Sequence, residues 1–141
     1  MTVYKINDLV KFDFIKIPKT LFANPKYKEM SSDAKLTYAL LYDRLSLSIQ
    51  NNWINADGEV YLVYTRGAIA EDLGITYKKA IAAFKELKEN NLIIDKQCGH
   101  GMPNYIFIVK PELSDTEAKK YTNKENSRPA EMECLDSDEC D

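Results

Sequence analysis

Thr76, Tyr77, Lys78, Lys79, Ala82 and Lys85 stand close together in the stretch TYKKAIAAFK, and their types suit one chemistry, the binding of a polyanion. Lysine ammonium groups attract phosphate or reach the acceptor edge of guanine. Thr76 and Tyr77 supply hydroxyls for backbone oxygens or pack on a thymine methyl, and the small Ala82 permits close approach. A lysine pair on a helix is also ordinary solvated surface, so position has to decide. Both lysines fall in the first turn, where the helix dipole favours an acidic residue over a cation, and a docking polyanion accounts for that choice. A second group, Lys96, Gln97, His100 and Asn104, surrounds Gly99 and Gly101. Its donors and glycines suit a backbone passing close to phosphate, although a plain hairpin turn explains the glycines equally well. Arg66, in the segment VYLVYTR, completes the set of candidate DNA contacts.

Other chemistries find no support. His100 is the single histidine, with no nucleophile or orienting acid near it in sequence. Cys98, Cys134 and Cys140 form an odd set without C-x-x-C spacing, and a metal site through Cys98 and His100 would need both remaining ligands from elsewhere. Phosphate-cradling P-loop glycines are missing, and Glu71-Asp72 reads as solvated charge on a helix. The expectation is a binding protein without cofactor or metal, not an enzyme. No apolar run reaches the roughly 18 residues needed to span a bilayer, and the N-terminal MTVYKINDLVKFDF is charged where a signal peptide is apolar. A cytoplasmic protein with reduced thiols is expected.

The elements that would position these residues follow from periodicity. FDFIKIP, with Phe12, Phe14 and Ile17 near alternating positions, reads as a short strand or extended arm ended by Pro18. Ser31-Ser32-Asp33 starts one long amphipathic helix reaching Asn51-Asn52, with Leu36, Ala39, Leu40 and Leu47 in its stripe. EVYLVYT alternates as a strand after a turn at Asp57-Gly58. Thr65 caps a short helix that Gly74 terminates, and Thr76 caps the next, with Ile81, Phe84 and Leu87 as its buried side. LIIDKQ and NYIFIV pair as a hairpin across the Cys98–Pro103 loop. Trp53, Tyr38, Tyr42 and Tyr61 fall on apolar faces and read as core or a dimer contact. Two helices joined by a tight glycine turn and followed by a hairpin predict an α+β fold, a winged helix-turn-helix with a β-hairpin wing. Its second helix would enter the major groove of double-stranded DNA.

Charge divides the chain. Residues 1–111 hold 15 Lys+Arg against 12 Asp+Glu, a net +3, whereas residues 112–141 hold 4 against 10, a net −6, which together give −3. The reading is a DNA-binding domain over 1–111 and an acidic tail over 112–141 with little fixed structure.

Three segments carry a family likeness: residues 14–48 (FIKIPKTLFANPKYKEMSSDAKLTYALLYDRLSLS), 55–93 (with the joint DGEVYLVYTR) and 101–111 (GMPNYIFIVKP). Together they resemble the N-terminal domain of plasmid replication initiator protein A (RepA_N) of Gram-positive bacteria. The resemblance implies a winged helix, with its helix-turn-helix over residues 66–91, that recognises repeated sites at a plasmid origin and acts as a homodimer. It also implies contact with host replication proteins through a C-terminal domain expected to be missing from this chain. The alternatives are a transcriptional repressor and a winged-helix protein-interaction module.

Overall fold

Short polar side chains start the helices that open at Pro25, Ser32, Arg66 and Tyr77. A computed structural model describes residues 2–8, 13–97, 99–101, 104–114, 116 and 118. Helix α1 spans Thr20–Ala23. Asn24 then accepts from the Lys26 N–H at 3.0 Å and begins α2, Pro25–Lys28, with Pro25 in the first turn where its missing N–H costs nothing. The Ser31 hydroxyl accepts from the Ala34 N–H at 3.1 Å to start α3, Ser32–Asp43, and α4 follows as Leu45–Gln50. Thr65 and Thr76 do the same for α5, Arg66–Leu73, and α6, Tyr77–Glu89, through the N–H groups of Ala68 and Lys79.

Gly74 ends α5 at φ 69°, a left-handed conformation that any Cβ would strain, and the chain turns at once into α6. This is the helix-turn-helix that the Thr65, Gly74 and Thr76 pattern predicts. Strands β1, Ile93–Lys96, and β2, Tyr105–Ile108, then pair antiparallel in the register Ile93↔Ile108 through Lys96↔Tyr105. Phe84 and Leu87 of α6 pack with Ile69 of α5, with Tyr38 and Leu41 of α3, and with Leu92 and Ile106 at the hairpin. Burying each large side chain contributes about 1.5–3 kcal/mol, which is what holds the helix pair and hairpin on one core.

Four expectations change. The single helix over 33–50 is broken at Arg44, whose N–H is shared among the carbonyls of Leu40, Leu41 and Tyr42 and whose guanidinium lies 4.3 Å from the Tyr64 ring centroid. No glycine or proline stands at that break to announce it. The buried face of α3 runs through Ala34, Tyr38 and Leu41, leaving Leu36 exposed. The strand expected over EVYLVYT shrinks to the bridges Ile54↔Val60 and Leu62↔Ile106, and Tyr64 beyond them buries its ring and bonds Asp72. Helices α1 and α2, too short to show periodicity, come as an addition. The arm at FDFIKIP is irregular over 13–18, and Phe12 lies outside the described residues.

After β2 the chain crosses back over the N-terminal helices. Tyr38 donates its hydroxyl to the Val109 carbonyl at 2.9 Å. Thr20 and Asn24 donate to the Glu112 carbonyl at 3.0 and 2.9 Å, and Tyr27 accepts from the Glu112 N–H at 2.9 Å. The acidic run over 131–141, Cys98, Cys134 and Cys140 all lie outside the described residues. Among the described residues no helix is long and apolar enough to cross a membrane, and no cluster of potential metal ligands occurs.

Candidate nucleic-acid interface

Helix α6 sorts its side chains cleanly. Ala80, Ala83, Phe84 and Leu87 are buried against the core, so the opposite side must face solvent. There Tyr77, Lys78, Lys79, Ala82 and Lys85 are all exposed, as is Thr76 at the cap. Ile81, read in sequence as part of the buried stripe, joins this outer face at 43% exposure. The inner stripe is filled at 80 and 83 by small residues of the core, and alanines gave too weak a signal to displace Ile81.

Charge pairing separates these cations from the rest. Lys78, Lys79 and Lys85 make no ion pair with any described residue, whereas Lys26, Arg66 and Lys88 are each within 4 Å of a carboxylate. Arg66 therefore leaves the set of exposed cations. Its guanidinium bonds Asp95 Oδ2 at 2.7 Å and lies 4.5 Å from the Phe84 ring centroid, with the side chain only 24% exposed. Burial alone would push the Asp95 carboxyl up. The hydrogen bond and charge of Arg66, the charge of Lys88 at 3.5 Å and the Asn104 amide outweigh it and hold Asp95 below the usual carboxylate range. Sequence reasoning missed Asp95. Its signal lies in the alternation of Ile93 and Asp95, which places a charge on the inward face of β1 and obliges it to find partners.

The hairpin stands beside the start of α6. Arg66, Tyr77 and Asn104 line one cavity of about 160 Å³, which brings the first turns of α5 and α6 against the base of the wing. At the wing tip Gly99 and Gly101 adopt φ 142° and 77°, and His100 between them is exposed. Lys96 is exposed on the outer face of β1, while Asn104 is half-buried and partly engaged with Asp95. The structure thus gathers Thr76, Tyr77, Lys78, Lys79, Ala82 and Lys85 on one surface with the hairpin alongside, and gives Arg66 an internal role.

Residues 13–123 match the family model described as replication initiator protein A (RepA) N-terminus. The chain belongs to this family. Among curated relatives of the RepA N-terminus, a 41 kDa protein of Lactobacillus helveticus is 31% identical over 110 residues, covering 74% of this chain and 31% of that protein. The chain therefore spans about a third of that relative's length. Solved structures extend the likeness to three dimensions. An N-terminal domain of a DNA-binding protein superposes with a TM-score of 0.72 at 32% identity, covering 92% of this chain and 98% of that one. A protein solved as a Rep–DNA complex gives 0.71 at 33% identity over 91% and 98% of the two chains. A third, titled as an MDR initiator, gives 0.69 at 35% identity over 89% and 100%. With the helix order and the antiparallel hairpin, these matches establish the RepA N-terminal winged helix as the fold of this chain.

Proposed function

We propose that this chain is the DNA-binding module of a plasmid replication initiator, recognising repeated double-stranded sites at the origin in a sequence-specific way. The observation that carries the reading is the outer face of α6, where Lys78, Lys79 and Lys85 project beside the hairpin without a counter-ion among the described residues. The relative solved as a Rep–DNA complex supports the same use of this fold. The first two turns of α6 enter the major groove, roughly 12 Å wide, and Lys96 and His100 of the wing meet the flanking phosphates. No bond is made or broken in this activity, and it takes place in the cytoplasm.

Selection from a random duplex pool, followed by retardation of the selected site, tests the proposal. Lys78→Glu with Lys79→Glu is expected to abolish retardation while the far-ultraviolet spectrum stays native. Binding that survives this pair of changes would place the interface elsewhere.

Homodimerisation is part of the proposal. Trp53 and Tyr61 stack at 6.3 Å between ring centroids and 7° between planes, and Tyr61 stacks on Tyr105 at 4.2 Å, leaving an apolar patch with Ile94 at 57% exposure on the outer face of the hairpin. Ile94→Glu should shift the sedimentation of a dimer to that of a monomer, and an unchanged coefficient rules this face out. Contacts with host replication proteins would then fall to regions of the longer relatives outside the matched segment.

A further inference from the structure

We infer that Ile81 is a specificity-determining residue, reading thymine through its 5-methyl group, so that the recognised sites carry thymine between two points of positive charge. This inference rests on the DNA-binding reading above and adds to it what the outer face of α6 prefers.

The argument begins with what that face offers. Lys78 and Lys85 lie seven residues apart, two helical turns, or about 10 Å along the axis. Ile81 and Ala82 occupy the surface between them, Ile81 one turn beyond Tyr77 and Ala82 one turn beyond Lys78. Ile81 is 43% exposed and Tyr77 58% exposed, although both are apolar enough to be buried had the core required them. An isolated exposed isoleucine is unremarkable on a protein surface. This one lies between Lys78 and Lys85 along the axis, on the side of the outer face toward Tyr77.

Base edges in the major groove are told apart by donors, acceptors and one apolar feature, the thymine methyl. Asparagine, glutamine and arginine do not occur anywhere on α6, so of the side chains that pair in bidentate fashion with adenine and guanine it offers only lysine. The lysines at either end can reach guanine acceptors or phosphates. Ile81 and Ala82 themselves carry no hydrogen-bonding group, so they can favour one base over another only by contact with a methyl group or by its absence. An isoleucine flanked by alanine gives a protruding apolar knob beside a gap, a shape suited to a methyl group projecting from the groove floor.

The test uses a duplex selected by this chain from a random pool and remade with deoxyuridine in place of thymine, one position at a time. Uracil keeps every hydrogen-bonding group of thymine and removes only the methyl. The wild-type chain is expected to bind about fourfold more weakly for each contacted methyl lost, the fold-change that corresponds to one buried carbon. Ile81→Ala should bind the thymine duplex more weakly and be indifferent to the uracil exchange at that same position. Ile81→Val should keep most of the discrimination, and both variants should melt as the wild type does, since the side chain is exposed.

Equal binding of thymine and uracil duplexes by the wild-type chain overturns the inference while leaving DNA binding intact, provided Lys78→Glu with Lys79→Glu still abolishes retardation. A uracil penalty that persists undiminished in Ile81→Ala assigns the methyl contact to another residue and equally overturns it. Failure to recover any bound duplex removes the DNA-binding reading itself.

Discussion

Removing the unpaired cations of α6 should change how binding responds to salt, and by an amount set by their number. Lys78, Lys79 and Lys85 lack ion-pair partners among the described residues, so each is available to displace one condensed counter-ion from DNA. If each neutralises one phosphate, log K falls against log salt with a slope of about −2.7 from this helix, a loss of roughly 40-fold between about 50 and 200 mM. Lys78→Ala with Lys79→Ala should reduce that contribution to a slope of about −0.9, or roughly 3.5-fold over the same range. Alanine is preferable to glutamate here because it removes charge without adding repulsion. Fluorescence anisotropy with the selected duplex, titrated at several salt concentrations, gives both slopes. A double variant that loses affinity but keeps the wild-type slope would mean that these lysines do not touch phosphate. A slope that changes by less than about half a unit per lysine would refute the assignment of α6 as the phosphate-contacting face.

Asp95→Ala should destabilise the domain by about 2 kcal/mol in urea unfolding, below the 3–5 kcal/mol typical of fully buried pairs because Arg66 and Lys88 remain partly wet. Since the folded-state pKa of Asp95 is depressed, its contribution is fully present above the ordinary value of 3.8 and is lost as pH falls through the lower folded value. The acid limb of the stability curve should therefore flatten in Asp95→Asn, and an unchanged limb would show that the Arg66 tie does not matter. Deleting residues 116–141 should strengthen DNA binding at low salt, because the acidic run repels phosphate, and the gain should fade as salt is added. Equal affinities at every salt concentration would reduce the tail to a solubilising role.

The helix-turn-helix was legible because its signals are local. Thr65, Gly74 and Thr76 each satisfy or release backbone groups within a few residues of themselves, so their meaning does not depend on distant parts of the chain. The hairpin was legible for the same reason, through alternation on either side of a glycine loop. What escaped the sequence depends on contacts far along the chain. Arg44, where the helix breaks, lies over the ring of Tyr64, and Tyr64, just past the last bridge of the expected strand, bonds Asp72. Ile81 was placed inside because isoleucine outweighs alanine in any hydropathy pattern, yet it is Ala80 and Ala83 that face the core and Ile81 that lies outside it.

A cation in the first turn of a helix is unfavourable unless an anion answers it, and the sequence cannot say whether that anion is internal or external. At Arg66 it is internal: Asp95 on the inward face of β1 supplies the carboxylate. At Lys78 and Lys79 the described residues supply none, and an external anion is the answer that the proposed function gives. The same carboxylate joins the start of α5 to β1, meets Lys88 in the last turn of α6, and is met by the Asn104 amide at the base of the wing. Recognition helix and wing are thereby fixed to each other before any ligand arrives, so docking them on a duplex need not include the entropy of bringing the two surfaces into register.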